Sequence, residues 1–182
     1  MDRIGSSLKF LLLALVVGAC SSAILTRIPV ASASANLTTA SGTAAGTVQL
    51  RQAAGGTVTV EVNATGLTPG AHGIHFHEVG QCEGASAFST AGGHYNPLNR
   101  EHGLERPAGP HAGDAPNLVA SSNGTASLTF TTDRVTLTSG SISLLDANGS
   151  SVVIHAAPDD QVSQPSGNSG GRVACGVIQL TS

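Results

Sequence analysis

His72-Gly73-Ile74-His75-Phe76-His77-Glu78 decides the reading of this chain. In an extended strand, side chains two positions apart point to the same face. His75 and His77 can therefore hold one ion from a single strand. His72 lies three residues before His75 and cannot share that face, so it stands apart from the pair.

Further histidines follow in Gly93-His94-Tyr95-Asn96-Pro97, His102-Gly103, His111-Ala112-Gly113-Asp114 and Val153-Ile154-His155. The middle group lies in a Gly/Pro/Asn-rich stretch. It brings three imidazoles and a carboxylate together, which suits tetrahedral zinc. A site of imidazoles without carboxylate suits copper better. The pattern predicts two metal sites.

Around these residues the chain alternates like a β protein. Thr47–Arg51 and Thr57–Val62 read as strands around Gly55-Gly56. Leu67-Thr68-Pro69-Gly70 turns into the strand bearing His75. The stretch 80–116 has no strand pattern, and a loop so long needs a function to order it. Asn117–Ala120 and Thr125–Phe130 flank Asn123-Gly124, a hairpin signal. Ile142–Leu145 reads as a short strand or strand end, Ser151–His155 as a strand, 158–171 as a second loop, and Val173–Leu180 as the last strand. Many short strands with regular turns indicate an all-β sandwich or flattened barrel.

Composition agrees. The 182 residues contain no Trp, few aromatics and a net charge of −3, which allows one small-residue β domain and gives nucleic-acid binding no basic surface. Lys9 is the single lysine. Arg3 and Lys9 flank an apolar run, Phe10–Val17, too short to span a bilayer, which reads as an export signal. The run ends in Val17-Gly18-Ala19-Cys20, similar to the lipobox of bacterial lipoproteins. Ordinary cleavage at Ala31-Ser32-Ala33 or Ala33-Ser34-Ala35 is the alternative. The expected organisation is a lipoprotein-type signal over 1–19, a flexible tether over 20–40 beginning at a lipidated Cys20, and one domain over 41–182. With Cys20 lipidated, Cys82 and Cys175 remain, either bridged or as two buried thiols.

The motifs around His72–Glu78, Ser89–Pro97, His111–Asp114, Val152–His155 with Asp159-Asp160, and Gly170–Ile178 together resemble the bacterial copper/zinc superoxide dismutases. The match runs from about Gly66 to Ile178. The resemblance implies an eight-stranded, immunoglobulin-like Greek-key barrel or sandwich, with the metals outside the barrel under two long loops; that architecture is the family's known one.

It further implies that His75, His77, His94 and His155 bind copper, and that His94, His102, His111 and Asp114 bind zinc. His94 bridges the two as an imidazolate and exchanges a proton during catalysis. Asp159 resembles the carboxylate joining a copper ligand to a zinc ligand, here His75 and His102, while Asp160 reads as a turn former. Arg172 resembles the arginine that attracts and orients superoxide. Cys82 and Cys175 are expected to pin the long loop to the last strand.

The implied reaction is dismutation of superoxide to oxygen and hydrogen peroxide, protecting an exported compartment. The membrane is reached through the lipid alone. A homodimer is compatible with the resemblance, although no subunit contact can be matched. Two departures stand out. Gly113-Asp114-Ala115-Pro116-Asn117 replaces the commoner Gly-Asp-Leu-Gly-Asn, and the loop between Asp160 and Arg172 contains no Lys or Glu. The alternative function is a periplasmic copper-binding or copper-delivery protein with a dismutase-like domain; retention of every ligand position and Arg172 argues against it.

Overall fold

The computed structural model describes residue 1 and residues 30–181. The apolar signal and Cys20 lie outside the described residues. The strands are β1 (Ala31–Thr38), β2 (Ala44–Gln52), β3 (Val58–Ala64), β4 (Gly70–His72), β5 (Ile74–His77), β6 (Leu118–Ala120), β7 (Ala126–Thr132), β8 (Ser151–His155), β9 (Arg172–Val177) and β10 (Gln179–Leu180). Two short 3-10 turns, Gly84–Ser86 and Ser89–Ala91, are the helical elements among the described residues.

The strands pair in the order β4-β6-β7-β3-β2-β1-β9-β8-β5, with β10 also on β1. All of these pairings are antiparallel. The two ends of this path, β4 and β5, are successive pieces of one run interrupted at Gly73. The chain changes partners there, from β6 to β8, and so brings the sheet round into a nearly closed barrel. Counting β4–β5 and β9–β10 as one strand each reduces the ten segments to the expected eight.

Alternation fills the interior. Val48 and Leu50 on β2, Val58, Val60 and Val62 on β3, and Ile74 and Phe76 on β5 are buried together in one apolar cluster. β-Branched residues suit such a pleated, packed surface. His75 and His77 necessarily point out of the barrel, yet they are buried too, because loops cover that face. A second, smaller cluster of Phe88, Ala91, Val153 and Cys175 lies on that outer side. Ala87 and Phe88 both take left-handed backbone, at φ 48 and 62. That costs about 1–2 kcal/mol per residue. Full burial of the Phe88 ring contributes about 1.5–3 kcal/mol and offsets much of it.

Two expectations need correction. A tether reaching residue 40 is not what forms, because Ala31–Thr38 is strand β1. Its alternate residues Ala33, Ala35 and Leu37 are buried, and it lies between β2 and β9/β10. Methyl groups and one leucine suffice once two neighbouring strands satisfy the backbone on both sides. Ile142–Leu145 also forms no strand. It makes one isolated bridge, Ser143 with Thr136, and buries Leu144 from within a loop. Thr38 pairs with Cys175, Cys175 with Val153, and Val153 with His75, so one rung of the sheet connects the first strand to His75.

Candidate dinuclear metal centre

β5 supplies His75 and His77, and the end of β8 supplies His155. The long loop between β5 and β6 supplies His94, His102, His111 and Asp114. The backbone ties this loop back to β5: Phe76 N–H donates to Gly113 O (2.9 Å), and Tyr95 N–H to Phe76 O (2.8 Å).

Every predicted ligand arrives in one of two groups. His75, His77, His94 and His155 converge, each offering one atom, with these atoms all within 4.8 Å of one another. His94, His102, His111 and Asp114 form the second group within the same limit. His94 belongs to both.

The ring nitrogens test whether metals fit. In the first group one nitrogen of each ring is engaged. His75 Nε2–H donates to Asp159 Oδ2 (2.7 Å), His77 Nδ1–H to Gly92 O (3.0 Å) and His155 Nδ1–H to Gly170 O (3.2 Å). His94 Nδ1 stands 3.1 Å from Asp114 Oδ1. The other nitrogens, His75 Nδ1, His77 Nε2, His94 Nε2 and His155 Nε2, are buried without a hydrogen-bond partner. Buried polar atoms are ordinarily paired. Four orphaned lone pairs facing one another, with no carboxylate among them, fit copper.

In the second group Asp114 Oδ1 stands 3.1 Å from His94 Nδ1, 3.0 Å from His102 Nδ1 and 3.4 Å from His111 Nδ1. Ligands about 2.0 Å from a tetrahedral zinc sit roughly 3.3 Å apart, so this spacing fits zinc. Asp114 Oδ2 accepts from Gly103 N–H (2.8 Å) and His111 N–H (2.9 Å), which fixes the carboxylate. Arg134, absent from the sequence-based set, donates to the Asp114 carbonyl (2.7 Å).

Charge states follow from these surroundings. Burial pushes the His77 imidazole well below its usual range, His94 to about 4 and His155 to about 3, so these rings are neutral at pH 7 and offer lone pairs. Burial also opposes charge on His102, but bonds from Asp114 and Asp159 outweigh it and raise that ring to about 9. Burial would raise the Asp114 carboxyl; its bonds to His102, His111 and His94 hold it far below the ordinary carboxylate range instead.

Asp159 lies where the sequence placed it, between the two groups. Its Oδ1 accepts from His102 Nε2–H (3.1 Å) and its Oδ2 from His75. It also accepts from Gln161 N–H (2.7 Å), so it is bridge and turn former together. Asp160 is a turn former, accepting from Val162 and Ser163 N–H. His72 braces the site, with Nδ1 2.7 Å from His155 O and Nε2 2.8 Å from Thr68 O.

Arg172 is half-buried and donates from Nη1 to Phe88 O and from Nη2 to Gly92 O (2.6 Å). Gly92 O also receives His77 Nδ1–H, which places the guanidinium beside the first group. Cys82 and Cys175 are joined by a disulfide across a sequence separation of 93. Sequence reasoning missed Asn117, whose amide accepts from Asp159 N–H (2.8 Å) and donates to Asp159 O (2.8 Å). It also missed Glu78, whose Oε1 accepts from Gly93 N–H (2.9 Å) next to His94. Their signal was position alone, each within a motif already singled out.

This barrel, with two histidine-rich groups that share His94 and could each hold a metal ion, fits a metalloprotein of the Greek-key β class. The chain belongs to the copper/zinc superoxide dismutase family, whose model matches residues 44–178. Among relatives, a superoxide dismutase [Cu-Zn] of Caulobacter vibrioides is 43% identical over 151 residues, covering 81% of this chain and 86% of that protein. Superoxide dismutase [Cu-Zn] 2 of Aquifex aeolicus is 44% identical over 124 residues, covering 67% and 72%. A crystal structure of a SOD-like protein from Bacillus subtilis superposes with a TM-score of 0.74 at 35% identity, covering 79% of this chain and 96% of that one. The chain is accordingly a superoxide dismutase that binds copper and zinc.

Proposed function

We propose that His75, His77, His94 and His155 hold the copper and that His94, His102, His111 and Asp114 hold the zinc. The observation that carries this is the set of four buried, partnerless nitrogens converging on one point, with His94 shared. When bound, copper supplies one-electron redox chemistry and zinc supplies a fixed positive charge.

The chain's own residues do the rest. Two superoxide ions and two protons become oxygen and hydrogen peroxide. His94 Nε2, dry and without a protein partner, is the atom at which one proton is held and released. Its other ring nitrogen, Nδ1, lies 3.1 Å from Asp114 Oδ1 in the zinc group. Arg172 remains cationic at physiological pH despite partial burial, and its carbonyl bonds hold it beside the first group while leaving N–H donors for an anion. Asp159 keeps His75 and His102 in the tautomers that turn their Nδ1 lone pairs to the metals.

The protein acts outside the cytoplasm, on superoxide arising there, anchored by a lipid on Cys20. β1 supports that reading. Cleavage after Ala33 or Ala35 would remove part of a strand with partners on both sides and buried Ala33 from the core. Processing at Cys20 leaves the strand whole. Among the described residues no helix is long and apolar enough to cross a membrane.

Elemental analysis after loading with both metals tests the assignment. One copper and one zinc per chain are expected, with copper lost in His155→Ala and zinc lost in His111→Ala. Filling of only one site in the wild type would contradict it.

A further inference from the structure

The loop between β8 and β9, residues 156–171, carries no Lys or Glu, and its only charged side chains are Asp159 and Asp160. Its amides reach toward the zinc group. Gln164 Oε1 accepts from His102 N–H (2.8 Å), and Gln164 Nε2 donates to His102 O (2.9 Å). One side chain thus holds both main-chain groups of a single residue, as a neighbouring strand would.

The contact continues along the chain. Gln161 Oε1 accepts from Leu104 N–H (3.2 Å), and the Gln161 carbonyl accepts from Glu105 N–H (3.3 Å). Gln161 adopts φ 64, a left-handed conformation that is costly for a residue other than glycine. Gly103, at φ 109, passes so close that a Cβ there would overlap the Gln161 carbonyl. Three of the four residues from His102 to Glu105 are therefore hydrogen-bonded to the second loop, and the fourth is packed on it.

We propose that Gln164 is a positioning residue for the zinc ligand His102, fixing its backbone before the metal arrives. Asp159 fixes the far nitrogen of the same ring, at 3.1 Å. Backbone and ring are then both set, and little freedom remains to be lost on binding zinc. The Gln164 side chain is exposed, but its bonds end on the backbone of His102, which is fully buried. The proposal rests on the reading of His102 as a zinc ligand.

The test measures zinc affinity of the copper-free mature protein by competition with a chromogenic chelator. It also measures amide hydrogen exchange at His102 in the metal-free protein by NMR. Gln164→Ala should weaken zinc about tenfold, the lower end for a group acting behind a ligand, and speed His102 exchange. Gln164→Glu keeps the acceptor for His102 N–H but loses the donor, and should fall between. Asn168→Gly is the control. Asn168 lies in the same loop at φ 53, and its amide bonds Asp160 rather than the zinc group, so zinc affinity should stay at wild type. Wild-type zinc affinity in Gln164→Ala, or an equal loss in Asn168→Gly, would overturn the proposal. Equal zinc binding by wild type and His102→Ala would instead overturn the ligand assignment.

Discussion

His75 Nε2 lies 2.7 Å from Asp159 Oδ2, and both side chains are fully buried. The other oxygen of that carboxylate meets His102, so one residue of the second loop links the two metal groups from behind. Asp159→Asn replaces one acceptor oxygen by a donor, which then faces an imidazole N–H. Zinc affinity should fall roughly ten- to a hundredfold. Chelator competition checks this; unchanged affinity would reduce Asp159 to a turn former.

Gly167 guards the same link. A Cβ there would overlap Asp159 Oδ1 and crowd His102 Nε2, and its φ of 63 is left-handed as well. Gly167→Ala should therefore displace the carboxylate and weaken zinc at least as much as Asp159→Asn. Combining the two changes should add little, because both break one interaction. Full additivity, measured by the same competition, would contradict that.

The disulfide between Cys82 and Cys175 closes a long loop across the rung that reaches His75. In the chain-entropy picture a closed loop of this size contributes about 4–5 kcal/mol. Cys82→Ser with Cys175→Ser should lower the stability of the metal-free protein by about 2–5 kcal/mol in urea unfolding. A loss below about 1 kcal/mol would show that Phe88 packing alone orders the loop.

Export and anchoring have a separate test. Mass spectrometry of the mature protein should place its first residue at Cys20 carrying lipid, and Cys20→Ser should leave the membrane fraction or accumulate as precursor. The barrel of that variant should still bind both metals. A soluble wild type beginning at Ser34 or Asn36 would contradict both the anchor and the intact β1.

Much of the centre was legible in the sequence because its ligands sit at spacings with a direct geometric meaning. His75 and His77 share a strand face, and His111 and Asp114 close one turn around a single oxygen. β1 was harder to read. Ala31-Ser32-Ala33-Ser34-Ala35 does alternate, but methyl groups give a weak period, and the same letters spell a cleavage site. Ile142–Leu145 reads as a short strand or strand end because its residues are mostly apolar, yet burying Leu144 under a loop needs no ladder. Gln161 and Gln164 could not be found at all, and Asn117 only by its place in a motif. Each bonds a partner more than 40 residues away, and nothing local in an amide announces that.

The central claim is that this centre consumes superoxide with Arg172 guiding the anion. The direct measurement is the second-order rate of superoxide decay, followed by pulse radiolysis, for copper- and zinc-loaded wild type and Arg172 variants. Opposite charges a few ångströms apart gain about 1 kcal/mol in water and more where water is excluded. Arg172→Ala should be slower by at least roughly tenfold, which is 1.4 kcal/mol of barrier. Arg172→Lys should recover part of the rate, and Arg172→Glu should be slowest, with a deficit that shrinks as salt screens the repulsion. Metal content should be the same in all of them. A fully loaded wild type that consumes superoxide no faster than its copper-free form, or an Arg172→Glu variant matching wild type at low salt, would contradict the account.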